Sequence, residues 1–190
     1  NGPILSIITV NFNNNLGLLK TLESVSSQSF SSYEHIIIDA GSTDGSRETI
    51  IQYEKENPHL SFWSSESDKG IYDGMNKGID HAKGQYLYFL NSGDCLSQDI
   101  LAKIPFDGTE YLYGDTILFY KRKTKKRVYP DTLDLIYLSD NSLHHQSCFI
   151  HHTLFKDKRY DINYKINVAC DVPEDTSEVT LSVKNETPMF

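Results

Sequence analysis

The sequence predicts an α/β protein built on a mostly parallel sheet flanked by helices, and three observations carry that expectation. Two continuous apolar runs of strand length, ILSIITV (Ile4 to Val10) and EHIIID (Glu34 to Asp39), read as strands covered on both faces. A stripe at helical spacing lies between them. The same alternation of strand and helix then continues to the YLYFL run at Tyr86 to Leu90.

Taken in order, the first helix is expected after the Asn13, Asn14, Asn15 cap cluster, with Leu16, Leu19, Leu22 and Val25 as its inward stripe. A second helix starts near Thr43 or Asp44, carries Ile50, Ile51 and Tyr53, and stops at Asn57-Pro58, because the residue before a proline is pushed out of helical conformation. LSFWSS (Leu60 to Ser65) is the third strand. A third helix, from Ile71 to about Lys83, puts Ile71, Met75, Ile79 and Ala82 on one face before Gly84 ends it. The second half is less regular: YLYGDTILFYKRKTKKRVYP reads as strands around a basic turn and HHQSCFIHH as one more strand. From Val172 onward acids, Thr and Ser replace any helical stripe.

At 190 residues the chain suits one domain with a real core. A net charge of −8 argues against a nucleic-acid partner, whose grip rests on excess Lys and Arg, and leaves a phosphate ligand in need of a metal or local basic groups. No apolar run approaches the roughly 18 residues of a membrane span. The amino end lacks the basic region of a signal peptide, and its first residue is not Met, so trimmed flanking segments are expected. Cys95, Cys148 and Cys170 are odd in number and form no CxxC, so neither a disulfide framework nor a zinc site is indicated, and a cytoplasmic setting is expected.

In an open α/β sheet, ligands bind outside the carboxyl ends of the strands, where strand order reverses. After the first strand come Asn11, Phe12 and Asn13; after the second, Asp39, Ala40, Gly41, Ser42, Thr43 and Asp44; after the third, Asp68 and Lys69; after the fourth, Asn91, Ser92, Gly93 and Asp94. Asp39 closes a buried run, where an ionised carboxylate needs a strong partner, either loop amides or the N–H of a planar ligand. Asp44 reads as a helix cap before it reads as a ligand group. Tyr72, Asp73 and Asn76 share one face near the start of the third helix, in contact with ligand or with solvent. Asp94, a carboxylate on a glycine-loosened turn, suits a hard cation such as Mg²⁺ or Mn²⁺ that bridges to substrate phosphates. No GxxxxGK[ST] or GxGxxG occurs.

These motifs, in this order over residues 3 to 171, resemble the family 2 nucleotide-sugar glycosyltransferases of GT-A type fold. IITVNFN resembles that family's first strand and polar exit, IIIDAGSTDGS its DDGSxDxS signature, and ESDKGIYDGMNKGIDHAKGQYLYFLNSGD the segment leading to its metal-binding DxD motif. The chain departs from the pattern at Ala40, which stands for the second Asp of the usual pair, and at Asn91, which stands for the first acid of DxD; a subset of bacterial members has a similar LNSGD form. The resemblance implies a nucleotide-sugar-binding half over 1–96 and a smaller, acceptor-side β region over 97–190. It implies Asn11, Asn13, Asp39, Gly41, Ser42, Asp68, Lys69, Tyr72, Asn76, Asn91 and Ser92 as nucleotide-binding residues, Asp94 and His145 at a Mn²⁺ or Mg²⁺ ion, and Asp171 as general base. It further implies inverting transfer of one sugar, the processive motif QxxRW being absent, from a UDP-sugar to a saccharide or lipid-linked acceptor in bacterial surface-polysaccharide synthesis. The basic run Lys121 to Arg127 is a solvated hairpin tip or a peripheral contact with anionic lipid at the inner face of the membrane. A sugar-phosphate nucleotidyltransferase and a non-catalytic nucleotide- or saccharide-binding module are the rival readings.

Overall fold

Strand β1 (Leu5–Asn11) is buried along its whole length, as is its parallel neighbour β2 (Tyr33–Asp39). The computed structural model describes residues 2–120, 123–141 and 143–163 together with 178–179 and 184–186. Helix α1 (Asn15–Ser26) connects the first two strands, α2 (Ser46–Glu56) leads to β3 (Leu60–Ser65), and α3 (Ile71–His81) leads to β4 (Tyr86–Phe89). Then follow β5 (Cys95–Leu96), β6 (Tyr111–Tyr113), β7 (Thr116–Tyr120), β8 (Lys123–Arg127), α4 (Leu135–Asp140), β9 (Cys148–His151), β10 (Glu178–Val179) and β11 (Lys184–Glu186).

The main sheet has seven strands in the order β11-β6-β9-β4-β1-β2-β3, and a second sheet pairs β5, β10, β7 and β8. Strands β3, β2, β1 and β4 are mutually parallel, whereas β9 runs antiparallel to both β4 and β6. The chain therefore steps outward from β1 to β3 and returns to the other side of β1 at β4. That reversal lies between β1 and β4, the place where open α/β sheets bind ligands.

Two details set how the layers meet. Helix α3 lies hard on β1 because two of its inward positions are glycine: a Cβ on Gly74 would stand 2.8 Å from Val10 Cγ1, and one on Gly78 would run into Ile8 Cγ2. Helix α1 corrects the sequence reading. Leu22 and Val25 are buried as expected, but Leu16 and Leu19 are 77% and 47% exposed, and Gly17, Leu18 and Thr21 face inward instead. The leucines 16, 19 and 22 drift round the helix at steps of three, whereas 18, 22 and 25 step by four and then three, close to the helical period that a flat sheet face selects.

Candidate active site at the carboxyl edge

Register brings the strand tips together. Asn11 pairs with Asp39, and Asp39 in turn with Ser65, so the exits of β1, β2 and β3 are neighbours. The Asp39 carboxylate is wholly buried and takes four hydrogen bonds. Oδ1 accepts from Asn11 Nδ2 at 2.7 Å and the Ser42 hydroxyl at 2.5 Å; Oδ2 accepts from the Ser42 N–H at 2.9 Å and the Ser65 hydroxyl at 2.6 Å. Burial works to raise its pKa, but the bonds from Ser42, Ser65 and Asn11 outweigh it and hold Asp39 below the usual carboxylate range. The partner that a buried acid requires thus comes from the protein.

The other edge loops fasten to this hub. The Asn13 N–H donates to the Ser42 hydroxyl at 2.8 Å, and its Oδ1 accepts from the Thr43 N–H at 2.9 Å. Gly41, at φ +78, lets this loop approach the backbone of Ser67. Asp44 accepts from the N–H of Asn15 and of Ser46, the first residues of α1 and α2, and so satisfies two helix starts, although the cap positions themselves are Asn14 and Gly45 rather than Asp44. Asn14 Oδ1 accepts from the Gly17 N–H while its Nδ2 reaches Ser92 O at 3.0 Å, and the Thr21 hydroxyl donates to Asp94 O at 2.8 Å. The start of α1 therefore braces the loop after β4.

Across the reversal point, the 3₁₀ turn His145–Ser147 leads into β9 and faces that same loop. Asn91 Nδ2 lies 3.0 Å from His145 Nε2, and Gln146 Nε2 donates to Asp94 Oδ2 at 2.8 Å. Burial, with the nearby His144 adding to it, depresses His145 to about 4, so its ring is neutral at pH 7. A neutral imidazole can ligate a metal, but here its Nε2 accepts from the Asn91 amide.

Three buried oxygens on this edge, Asn11 Oδ1, Asp68 Oδ2 and Asn91 Oδ1, have no hydrogen-bond partner among the described residues. The orientation of the Asn11 amide is fixed, because its nitrogen must face the Asp39 carboxylate. Asp68 uses Oδ1 for the Gly70 N–H at 2.8 Å, and burial, with the charges of Asp73 and Asp39 adding to it, raises its carboxyl above the ordinary range against the pull of that N–H and of Lys77. An acceptor-lined wall of this kind is costly unless a donor or a cation meets it.

The remaining candidates divide. Ser92 is on the edge beside Asn91, and Lys69 is exposed on the turn before α3. Tyr72 and Asn76 do share a face, but that face receives another part of the chain: Asn76 Nδ2 donates to Tyr160 O at 2.8 Å, Tyr160 N–H donates to Asn76 Oδ1 at 2.9 Å, and the Tyr72 and Tyr160 rings stack at 5.3 Å. Asp171 lies outside the described residues. Sequence reasoning placed Phe12 at the exit of the first strand without giving it a role, and the ring is 62% exposed directly after the buried Asn11; it passed over Gln146, the partner of Asp94. The signal for Phe12 was one ring inside a polar run, NFNNN.

Among the described residues no group of three His, Cys, Asp or Glu side chains converges as a preformed metal cage. One carboxylate at Asp94 with the neighbouring orphan oxygen of Asn91 fits a different arrangement, a Mg²⁺ or Mn²⁺ ion held chiefly by phosphates and water. No helix among the described residues is long and apolar enough to cross a membrane. A hollow of about 420 Å³ opens at the opposite edge of the sheet, lined by Phe30, Tyr33, Tyr53, Asn57 and His59. There Asn57 Nδ2 already serves the Tyr53 hydroxyl at 2.7 Å and Ser26 Oγ at 3.0 Å.

Comparison with known proteins agrees with this layout. Residues 6–155 match the model of the family described as glycosyl transferase family 2. An uncharacterized glycosyltransferase of Mycobacterium tuberculosis is 42% identical over 103 residues, which is 53% of this chain and 38% of that protein. A Bacillus subtilis protein whose name assigns it to teichuronic acid biosynthesis, TuaG, is 37% identical over 101 residues, 53% of this chain and 40% of its own. A glycosyltransferase of PGL/p-HBAD biosynthesis from Mycobacterium bovis is 29% identical over 172 residues, 86% of this chain and 66% of that one. The chain thus spans about two fifths of the length of the first two relatives. In three dimensions, Staphylococcus aureus TarS 1-349 superposes with a TM-score of 0.63 at 16% identity, over 85% of this chain and 51% of that one. The GT-A type fold that the resemblance implied is borne out.

Proposed function

Since the chain belongs to glycosyl transferase family 2, we propose that its carboxyl edge binds a nucleotide-sugar and passes one sugar, with inversion, to a saccharide or lipid-linked acceptor. The observation that carries the donor site is the pair of orphan acceptors at the carboxyl edge, Asn11 Oδ1 and Asp68 Oδ2, together with Phe12, exposed directly after Asn11. A base with an N–H on its edge, uracil by resemblance, satisfies the acceptors while its face stacks on Phe12. Gly41, Ser42, Asn13 and the Asp39 hub hold the loops that frame it, and Lys69 and Ser92 are within the same rim. The relatives named for teichuronic acid biosynthesis and for PGL/p-HBAD biosynthesis support a role in making surface polysaccharide.

Transfer needs a base for the acceptor hydroxyl, alignment of the reacting atoms, and neutralisation of the departing diphosphate. Asp171 is the proposed base on the resemblance alone; an Asp of ordinary pKa, about 4, is ionised at pH 7 and accepts the proton as the hydroxyl turns acidic in the transition state. A bound Mn²⁺ or Mg²⁺ ion, held by Asp94 with Asn91 Oδ1 and His145, would supply Lewis-acid stabilisation of the leaving group. Asp94 and Gln146 position that end of the cleft.

Thermal unfolding with UDP, GDP, CMP and dTDP, each with and without Mn²⁺, tests the donor site. A ligand at a hundred times its Kd stabilises by about 2.7 kcal/mol, a rise of roughly 5–10 °C for a chain of this size. The expected pattern is one preferred diphosphate, a Mn²⁺-dependent shift, and loss of most of that shift in Phe12→Ala. No shift with any of the four would overturn the site. A non-catalytic binding module is the second reading, favoured by the single carboxylate at Asp94; binding with no transfer of labelled sugar would select it.

A further inference from the structure

We propose that β8, the residue that follows it and α4 form a docking face for an anionic lipid bilayer beside the acceptor end of the cleft. The first observation is charge. Six of the seven residues from Lys121 to Arg127 are basic, and against the three acids around α4, Asp131, Asp134 and Asp140, they leave residues 116–141 net positive in a chain of net charge −8. Strand β8 terminates the four-stranded sheet, and Lys125 is exposed on it. Lys126 is 55% exposed although its amine also reaches the buried Asp115 at 3.0 Å.

The second observation is apolar and independent of the first. Val128, directly after β8, is 59% exposed, and on α4 Ile136 is 77% and Leu138 44% exposed. Arg127 Nη2 donates to Asn141 Oδ1 at 3.4 Å, which joins the end of β8 to the end of α4, so the basic and apolar groups belong to one neighbourhood. Basic side chains next to exposed aliphatic ones are the two signals that a peripheral protein needs for a stable hold on an anionic membrane, the first drawing it to headgroups and the second entering the acyl boundary.

The third observation is place. The Gly114 N–H, just before β7, donates to Ser147 O at 2.9 Å, and the His144 N–H donates to the Tyr129 hydroxyl at 3.0 Å. Both tie the hairpin to the turn that carries Gln146, the partner of Asp94. A face seated on a bilayer here would bring the cleft close to an acceptor whose lipid stays in the membrane. This purpose rests on the transfer reading; the lipid contact itself does not.

Co-sedimentation with phosphatidylcholine vesicles, with and without phosphatidylglycerol, tests the face. Binding is expected only with phosphatidylglycerol, and it should weaken as salt rises. Lys125→Glu should lower vesicle affinity roughly tenfold or more, since reversal removes one favourable charge and adds a repulsive one. Ile136→Ser should lower it further and most visibly at high salt. Both side chains are exposed, so each variant should keep the wild-type melting temperature and the nucleotide-induced shift. Equal binding to both vesicle types, no binding to either, or binding unmoved by these substitutions would overturn the proposal. So would light scattering in which the substitutions convert a dimer to a monomer, for the face would then belong to a second copy. Vesicle binding with no nucleotide shift would leave the face standing and remove the donor site.

Discussion

Replacing Asp39 with Asn keeps the side chain's shape and removes its charge together with half of its acceptors. The wild-type carboxylate takes two bonds on each oxygen. In the better orientation of the new amide, its oxygen keeps Asn11 and the Ser42 hydroxyl, and its NH₂ meets the Ser65 hydroxyl, which can turn and accept. The Ser42 N–H is then left facing a donor. Two retained bonds fall from charge-assisted to neutral, and one buried donor is stranded, a total of about 3–5 kcal/mol. For a chain of this length that is a melting point lower by roughly 10 °C. Urea unfolding at pH 7 reads the difference directly. The pH dependence supplies a second check, because the folded pKa of Asp39 is depressed. Its contribution is complete above the unfolded value of about 4 and is lost as the pH falls from there through the folded value. The gap between wild type and variant should therefore be constant above about pH 4 and narrow below it. A variant within about 1 kcal/mol of wild type at pH 7 would refute the hub, since even one stranded donor costs that much.

Asp94→Ala should remove the Mn²⁺ dependence of nucleotide binding while calorimetry still detects the metal-free component. Asn76→Ala should cost about 1–3 kcal/mol, the penalty of leaving the Tyr160 backbone groups unpaired, with UDP affinity unchanged; a loss of affinity without loss of stability would return Asn76 to the nucleotide. His35 gives an acid limb. It is fully buried between Thr9 and the Tyr53 hydroxyl, and burial lowers it to about 3. A depressed histidine is neutral when folded and takes up a proton on unfolding, so stability should fall as the pH drops below the unfolded value of about 6.5. His145, lowered to about 4, adds to the same window. Each such histidine contributes up to about 1.4 kcal/mol per pH unit, and a flat stability curve from pH 6.5 to 4.5 would contradict both assignments.

The first half of the fold was legible because its strands are uninterrupted apolar runs and its helices begin and end at polar punctuation. The third strand and the start of the third helix fall where the sequence placed them, and the other boundaries in that half differ by a few residues at most. Side-chain facing was harder. Leucines 16 and 19 are as apolar as Leu18 and Leu22, and only the sheet beneath decides which pair turns inward. At the candidate site, the residue types at the strand exits were visible, but their partners were not. Asp39 binds Ser65, 26 residues away, and Asn76 binds Tyr160, 84 residues away, and no local pattern encodes such pairings. Phe12 passed unread because exposure, not identity, gives it meaning. The second half resisted because its strands are short and its connections irregular, and Asp171 lies outside the described residues.

The inward use of all four Asp39 bonds separates the frame of the cleft from the surface that would read a ligand. Positions 39, 42 and 65 hold the rim in shape, while under the proposed function 12 and 68 would face what enters it. A combinatorial library that varies 12 and 68 over a fixed frame would sample altered base preference in folded proteins. One that varies 39 would return mostly variants too unstable to express.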